Sequence, residues 1–186
     1  EEDQPQPTDP YAISKWEAEE KLLAIGKETK LEIVIMRPPL VYGPGVKANF
    51  LRLLKLVACR TPLPLASVHN KRSFIYLGNL VDALLKCANH PSAAGETFLV
   101  HDGLVVSTPQ LLKSMAAALN VKALLFPFPT NVLKTMGALL NKIDEVNRVI
   151  DSLSVDDNKI RRVLNWAPTY TFEEGMIETC RWYQSL

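Results

Sequence analysis

Tyr11 and Lys15 stand four residues apart in PYAISKWEAEE. On a helix that spacing stacks a phenol and an ammonium one above the other on a single face. A positive charge beside a phenol favours phenolate. A phenol so tuned can pass a proton to or from a sugar or alcohol oxygen. The competing reading is a half-buried aromatic at a helix start, because a Tyr–Lys pair alone is a weak motif.

Other chemistries find little support. Cys59, Cys87 and Cys180 are odd in number, widely spaced and without a CxxC. They read as reduced, buried thiols of a cytosolic protein and not as a disulfide frame. His69, His90 and His101 are isolated, with no HxxxH or HExxH, so no metal site is expected. A formal charge of +1 with no basic stripe argues against a general nucleic-acid binder. The N-terminus, EEDQPQPTDP, is acidic and proline-rich, the opposite of a secretory leader. The apolar stretch 123–143 is interrupted by Pro127, Pro129, Lys134 and Lys142, and no membrane span is expected.

The elements that must carry the Tyr–Lys pair follow from local signals. Pro5, Pro7 and Pro10 make residues 1–10 a loop, and Asp9 and Pro10 suit the start of a helix over 11–29. Glu17, Glu19 and Glu20 load its early turns with acid. LEIVIMRP is apolar at nearly every position and rich in β-branched residues. It reads as a strand buried on both faces, ended by Pro38 and Pro39. VYGPGVKANF reads as a loop, followed by a helix over 47–59. Strands are expected at 73–77 and 96–100, with a helix between them capped by Asn79. Ser107 or Thr108 caps the next helix, to 119. KALLFPF reads as strand-like, with helices after it over 131–143 and to 150. LSVDDNKIRRVL supplies a short strand and a helix capped near Asp156, and Thr171 caps a last helix over 172–185. Alternating strands and helices make the class α/β with some parallel sheet. The strands are too few to build a doubly wound sheet alone.

Four segments in order, YAISKWEAE, RPPLVYGPG, KRSFIYLGNLVDAL and VDDNKIRRVLNWAPTYTFEEGMIETCRWY, together resemble the extended short-chain dehydrogenase/reductase superfamily. Within it they are similar to the NAD-dependent epimerase/dehydratase family acting on nucleotide sugars. The branch nearest to RPPLVYGPGVKANF and LPLPL contains UDP-sugar 4-epimerases and 4-keto reductases of bacterial polysaccharide biosynthesis. The resemblance covers essentially the entire chain. It implies the C-terminal part of an extended Rossmann-fold enzyme, an incomplete parallel sheet plus an α/β substrate-binding domain. Residues 1–44 would be the tail of the NAD(P)-binding domain with the active-site helix. Residues 45–186 would be mainly the substrate domain, with about 78–106 returning to the Rossmann domain.

The same resemblance implies the site. Tyr11 matches the general acid/base that exchanges a proton with the sugar 4-hydroxyl. Lys15 matches the residue that bonds the nicotinamide ribose and favours the phenolate. Pro38, Pro39 and Leu40 match the loop beside the nicotinamide. Asn49 and Phe50 lie where the substrate helix begins; Asn49 would meet a phosphate or sugar oxygen, or serve as a solvated helix residue. Leu63 and Leu65 fall in the strand whose backbone lines the base pocket. Arg72 matches the arginine that contacts the diphosphate, for which a guanidinium fork is suited. Arg148 is the only candidate for a second phosphate arginine, and a poor one. Trp166 and Trp182 are expected to pack the C-terminal helices.

Three family features do not occur in these 186 residues: the GxxGxxG loop, the acidic residue that holds the adenosine ribose, and the Ser/Thr preceding the tyrosine. Where many 4-epimerases carry Asn after the RPP strand, this chain has Leu40. The expectation is a C-terminal fragment of a cytoplasmic nucleotide-sugar enzyme, inactive alone, with NAD or NADP held mainly by an N-terminal half. Epimerase and 4-keto reductase remain open, as does a non-catalytic member of the fold. Related enzymes often dimerise through the tyrosine helix, which implies a homodimer here.

Overall fold

The computed structural model describes residues 9–186; the proline-rich loop expected over 1–8 lies outside the described residues. Helix α1 spans Pro10–Glu28, with Asp9 accepting from the Ala12 amide at 2.8 Å and Pro10 in the first turn. Its first turn holds no acidic residue, because the glutamates begin at position 17. None of its residues is buried. Its attachment is polar: Glu19 clasps Arg37 of the next strand, and that guanidinium lies 5.6 Å from the Trp16 ring centroid.

Strand β1 is short, Ile35–Arg37, and pairs in parallel with β4, Thr97–Leu99, in the register Ile35↔Thr97. Only Ile35 of β1 is buried, which corrects the expectation of a strand covered on both faces. α1, lying beside it, offers no buried side chain to cover the second face. Pro38 and Pro39 interrupt the chain rather than end the sheet. Strand β2, Leu40–Tyr42, follows at once and pairs in parallel with β3, Arg72–Tyr76; β3 pairs antiparallel with β5, Val105–Val106. Val41 and Tyr42 are therefore strand where a loop was expected. The 44/45 boundary falls just beyond a strand that belongs to this second sheet.

Helices α2 (Ala48–Ala58), α4 (Thr108–Ala118) and α8 (Phe172–Gln184) cover β2 and β3 in a core built on Tyr42, Phe50, Phe74, Leu112 and Met176. A second core joins Ile75, Ala83, Phe98, Ile160, Leu164 and Trp166, from β3, β4, α3 (Leu77–Asn89) and α7 (Asn158–Leu164). α7 thus packs with the β1–β4 side, as do α3 and β4, whereas β5 (Val105–Val106) pairs with β3 and Val106 lies in the first core. Trp166 is 4% exposed and its indole N–H donates to Asp82 at 2.8 Å. Local rules hold well at α4 and α8: Ser107 with Gln110, and Thr171 with Glu174, form complete capping boxes.

Elsewhere tertiary contacts override local signals. KALLFPF forms no strand; Leu125 makes one bridge with Leu63, and Leu153 makes one with Arg72 in place of the short strand expected there. Helices α5 (Thr130–Leu139) and α6 (Ile143–Ile150) form a hairpin in which Gly137 admits Val146. Asn79 is not a cap. It is the third residue of α3, fully buried, bonded to Asp102 Oδ1 at 2.8 Å and to the Tyr170 backbone. Asp102 also accepts from the Tyr42 hydroxyl at 2.8 Å and from the Tyr76 amide at 2.9 Å. Burial raises the Asp102 carboxyl above the ordinary carboxylate range, while the bonds from Asn79, Tyr76 and Tyr42 oppose that rise. Cys59 is exposed, unlike buried Cys87 and Cys180. It sits just past the end of α2, on the side turned from the core.

Candidate functional site

Tyr11 and Lys15 lie one turn apart near the amino end of α1. Tyr11 is 72% exposed, and the Lys15 ammonium is 5.6 Å from its ring centroid. Ser14 returns its hydroxyl to the Tyr11 carbonyl at 2.8 Å. The pair is an open donor set at the surface, with Pro38 also exposed beyond the end of β1.

The other expected residues converge elsewhere. Leu40, Asn49, Phe50 and Arg72 line one cavity of about 310 Å³, together with Lys47 and Arg148. A tight turn brings this wall in: Gly43 and Gly45 take φ of 147° and 85°, and Val46 N–H donates to the Gly43 carbonyl at 3.1 Å. Ala48, at φ 52°, then opens α2 in a conformation non-glycine residues seldom adopt. No side chain caps that helix start. Its first amides and its positive dipole end are thus set beside Lys47, Arg72 and Arg148. None of the lining residues is acidic. Such a wall suits an anion, and the apolar floor of Leu40, Phe50 and Phe74 suits a flat or methylene-rich group.

Arg72 is fixed from the far side. Its Nη1 donates to the carbonyl oxygens of Arg148 (2.7 Å) and Asp151 (3.1 Å), at the carboxyl end of α6. Burial lowers its guanidinium from the ordinary value, and Asp151 pulls the other way. An arginine remains cationic throughout. Leu63 and Leu65 do not line this cavity. They border a neighbouring apolar one of about 210 Å³ that shares Leu53 and Val149 with it. The Leu63 backbone is already engaged, its N–H with the Leu124 carbonyl and its C=O with the Phe126 amide. Tyr11, Lys15 and Pro38 are not among the residues lining either cavity.

A larger open cleft, about 1170 Å³, lies between the 101–105 loop and the segments leading into α7 and α8, and takes in none of the expected site residues. In it His101 Nδ1 accepts from the Gly103 amide at 2.9 Å, so Nε2 carries the proton facing Asp157 at 3.3 Å. Burial raises the Asp157 carboxyl, but the bonds from His101 and Arg161 outweigh it and bring it down to about 2.

Sequence reasoning passed over Lys47, Thr108 and the buried Asn70. Asn70 had a usable signal: it stands two residues before Arg72, on the same side of an extended segment.

Residues 1–100 match the NAD dependent epimerase/dehydratase family. The chain belongs to that family. Over 97% of its length it is 43% identical to the UDP-glucose 4-epimerase of Vibrio cholerae, of which it covers 55%. It spans about half the length of the curated relatives it matches. In fold it resembles the UDP-N-acetylglucosamine 4-epimerase of Bacillus cereus, with a TM-score of 0.77 at 19% identity, covering all of this chain and 57% of that one. A UDP-glucuronic acid 4-epimerase from Bacillus cereus, solved in complex with NAD, gives 0.76 at 18% identity over 100% of this chain and 55% of that one. The solved epimerases and dehydratases it resembles have a Rossmann-type fold, and this chain is α/β with short parallel strand pairs. Among the described residues no helix is long and apolar enough to cross a membrane.

Proposed function

We propose that this chain supplies the acid/base pair and the nucleotide-sugar cavity of an enzyme that interconverts a UDP-sugar at C4, in surface polysaccharide biosynthesis. The observation that carries the reading is the single acid-free cavity joining Leu40, Asn49, Phe50 and Arg72 with Lys47 and Arg148. In this reading Arg72, Arg148, Lys47 and the open start of α2 bind the diphosphate, with the apolar cavity beside Leu63 and Leu65 taking the base. Leu40 borders the sugar end.

The residues present fit only the nicotinamide end of NAD(P). Tyr11 and Lys15 leave a phenol and an ammonium open, and no glycine-rich loop for the pyrophosphate stands in the 186 residues. When bound, the nicotinamide takes up and returns a hydride. Tyr11 takes the proton of the sugar 4-hydroxyl and later gives it back. Lys15 holds the ribose and keeps a positive charge beside the phenol. Pro38 and Leu40 keep water from the reacting face. α1 and β1 with α3, β4 and α7 form the Rossmann side, and β2, β3 and β5 with the remaining helices form the substrate side.

The 186 residues alone neither hold NAD tightly nor turn over, and the unpaired thiols suit a reducing cytoplasm. A homodimer through α1, whose Ile13, Leu22 and Ile25 are exposed, completes the reading. Product analysis of the full-length protein tests it. Conversion of UDP-glucose or its N-acetyl analogue at C4 without net consumption of NAD is expected. NAD(P)H-dependent reduction of a UDP-4-keto sugar instead assigns a reductase. No reaction with either class overturns the reading in favour of a binding module.

A further inference from the structure

Behind the cavity wall lies a residue that does not line it. Asn70 is 6% exposed, and its amide is saturated. Its Oδ1 accepts from the Thr108 backbone N–H at 2.8 Å, which settles the orientation of the amide, since that amide N–H can only donate. Its Nδ2 reaches Thr108 Oγ1 (3.0 Å), the Val149 carbonyl (3.0 Å) and the Asp151 carbonyl (3.2 Å). The Thr108 hydroxyl donates in turn to the Val149 carbonyl at 2.6 Å. Two side chains thus fasten the carboxyl end of α6 to the amino end of α4.

The fastening adds to other holds on the end of α6, where Val149 and Ile150 pack against the first core and Lys134 pairs with Asp151 at 2.9 Å. None of its residues is fully buried. Yet that end bears the Arg148 side chain on the cavity and two of the three carbonyls that meet Asn70 and Arg72, from Arg148 and Val149. The third carbonyl, from Asp151, accepts from both.

We propose that Asn70, with Thr108, is a positioning residue for the anion cavity: it sets where Arg148 and Arg72 stand relative to each other, and through them the affinity for a nucleotide diphosphate. The inference rests on the cavity reading given above. Asn70 touches no ligand. It acts by holding the helix end against which the Arg72 guanidinium is braced. Replacing its amide by a carboxylate turns two donors into acceptors facing the Val149 and Asp151 carbonyls, and the helix end must move away.

The experiment is calorimetric titration of UDP into this chain and its variants, each also melted to check folding. Asn70→Asp and Thr108→Val are expected to weaken UDP about tenfold or more, and Thr108→Ser, which keeps the hydroxyl, to retain near-native affinity. Arg72→Ala serves as the control on the cavity. If Arg72→Ala weakens UDP while Asn70→Asp and Thr108→Val do not, the positioning role is overturned and the cavity reading stands. If Thr108→Ser weakens UDP as much as Thr108→Val, the effect is packing and the role is again overturned. If the unsubstituted chain binds no UDP, or Arg72→Ala leaves binding unchanged, the cavity reading falls and takes the role with it. Should Asn70→Asp fail to fold, Asn70→Ala decides, because Asn70 does not line the cavity whereas Thr108 does.

Discussion

The Glu19 carboxylate grips Arg37 by both Nε and Nη2, at 3.0 and 2.5 Å, and so fastens the helix bearing Tyr11 and Lys15 to strand β1. Both partners are partly screened from solvent, and a two-pronged arginine pair is among the stronger ionic contacts. With no residue of α1 buried, this clasp, the Trp16 ring and the close approach of Ile33 to Gly26 hold the helix in place. Arg37→Ala is expected to speed amide exchange over 14–26 by about tenfold while leaving the β3 amides unchanged. Equal protection in both chains, read by hydrogen exchange, would show that the clasp is dispensable.

The proton role of Tyr11 has its own signature. Tyr11→Phe in the full-length protein is expected to lower turnover by roughly 10²–10⁴-fold, the range for a lost general acid/base. UDP affinity should not change, because Tyr11 does not line the cavity. A variant with native kcat would remove the assignment.

Asp157 gives a prediction in pH. Its folded value, about 2, lies below the ordinary carboxylate value of about 4. The stability it contributes is therefore complete above about pH 4 and disappears as the pH falls through about 2. At neutral pH this contribution is on the order of 2 kcal/mol. Thermal melts of the native chain and Asp157→Asn should be farthest apart near neutrality and converge in acid. A constant gap across that range would contradict the assignment.

Gly175 makes a steric prediction. A Cβ there would stand 2.7 Å from the Tyr42 hydroxyl and 2.8 Å from Tyr76 Cγ, and Tyr42 is 1% exposed. The Tyr42 ring cannot swing out of the packed core and the half-buried Tyr76 ring must shift, so Gly175→Ala is expected to destabilise by about 1–3 kcal/mol. At this chain length each kcal/mol corresponds to roughly 2–4 °C in melting temperature. An unchanged melt would mean that α8 can shift to make room.

What could be read from the sequence was what is decided locally. The capping boxes at Ser107 and Thr171, the proline start of α1 and the turn glycines at 43 and 45 depend on neighbours within a few residues. Leu40, Asn49, Phe50 and Arg72 could be named from motifs, but their meeting in one cavity could not. That cavity is closed by Thr108 and Arg148, which arrive from distant segments. Asn79 shows the limit most plainly. As a residue type it suits a helix cap, yet a buried carboxylate 23 positions away claims its amide. β1 fails for the complementary reason: its apolar run matches a strand covered on both sides, but only one side meets a packed partner among the described residues.

Asp102 draws donors from residues that belong to different hydrophobic clusters. Tyr42 sits in the core under α8, whereas Asn79 is on α3, whose Ala83 and Cys87 sit in the other core. Opening either cluster strips the buried carboxylate of a partner and leaves it short of donors inside the remaining one. The two clusters therefore cannot melt in succession at low cost. The body of the chain should unfold in one cooperative step, with α1 alone free to fray ahead of it.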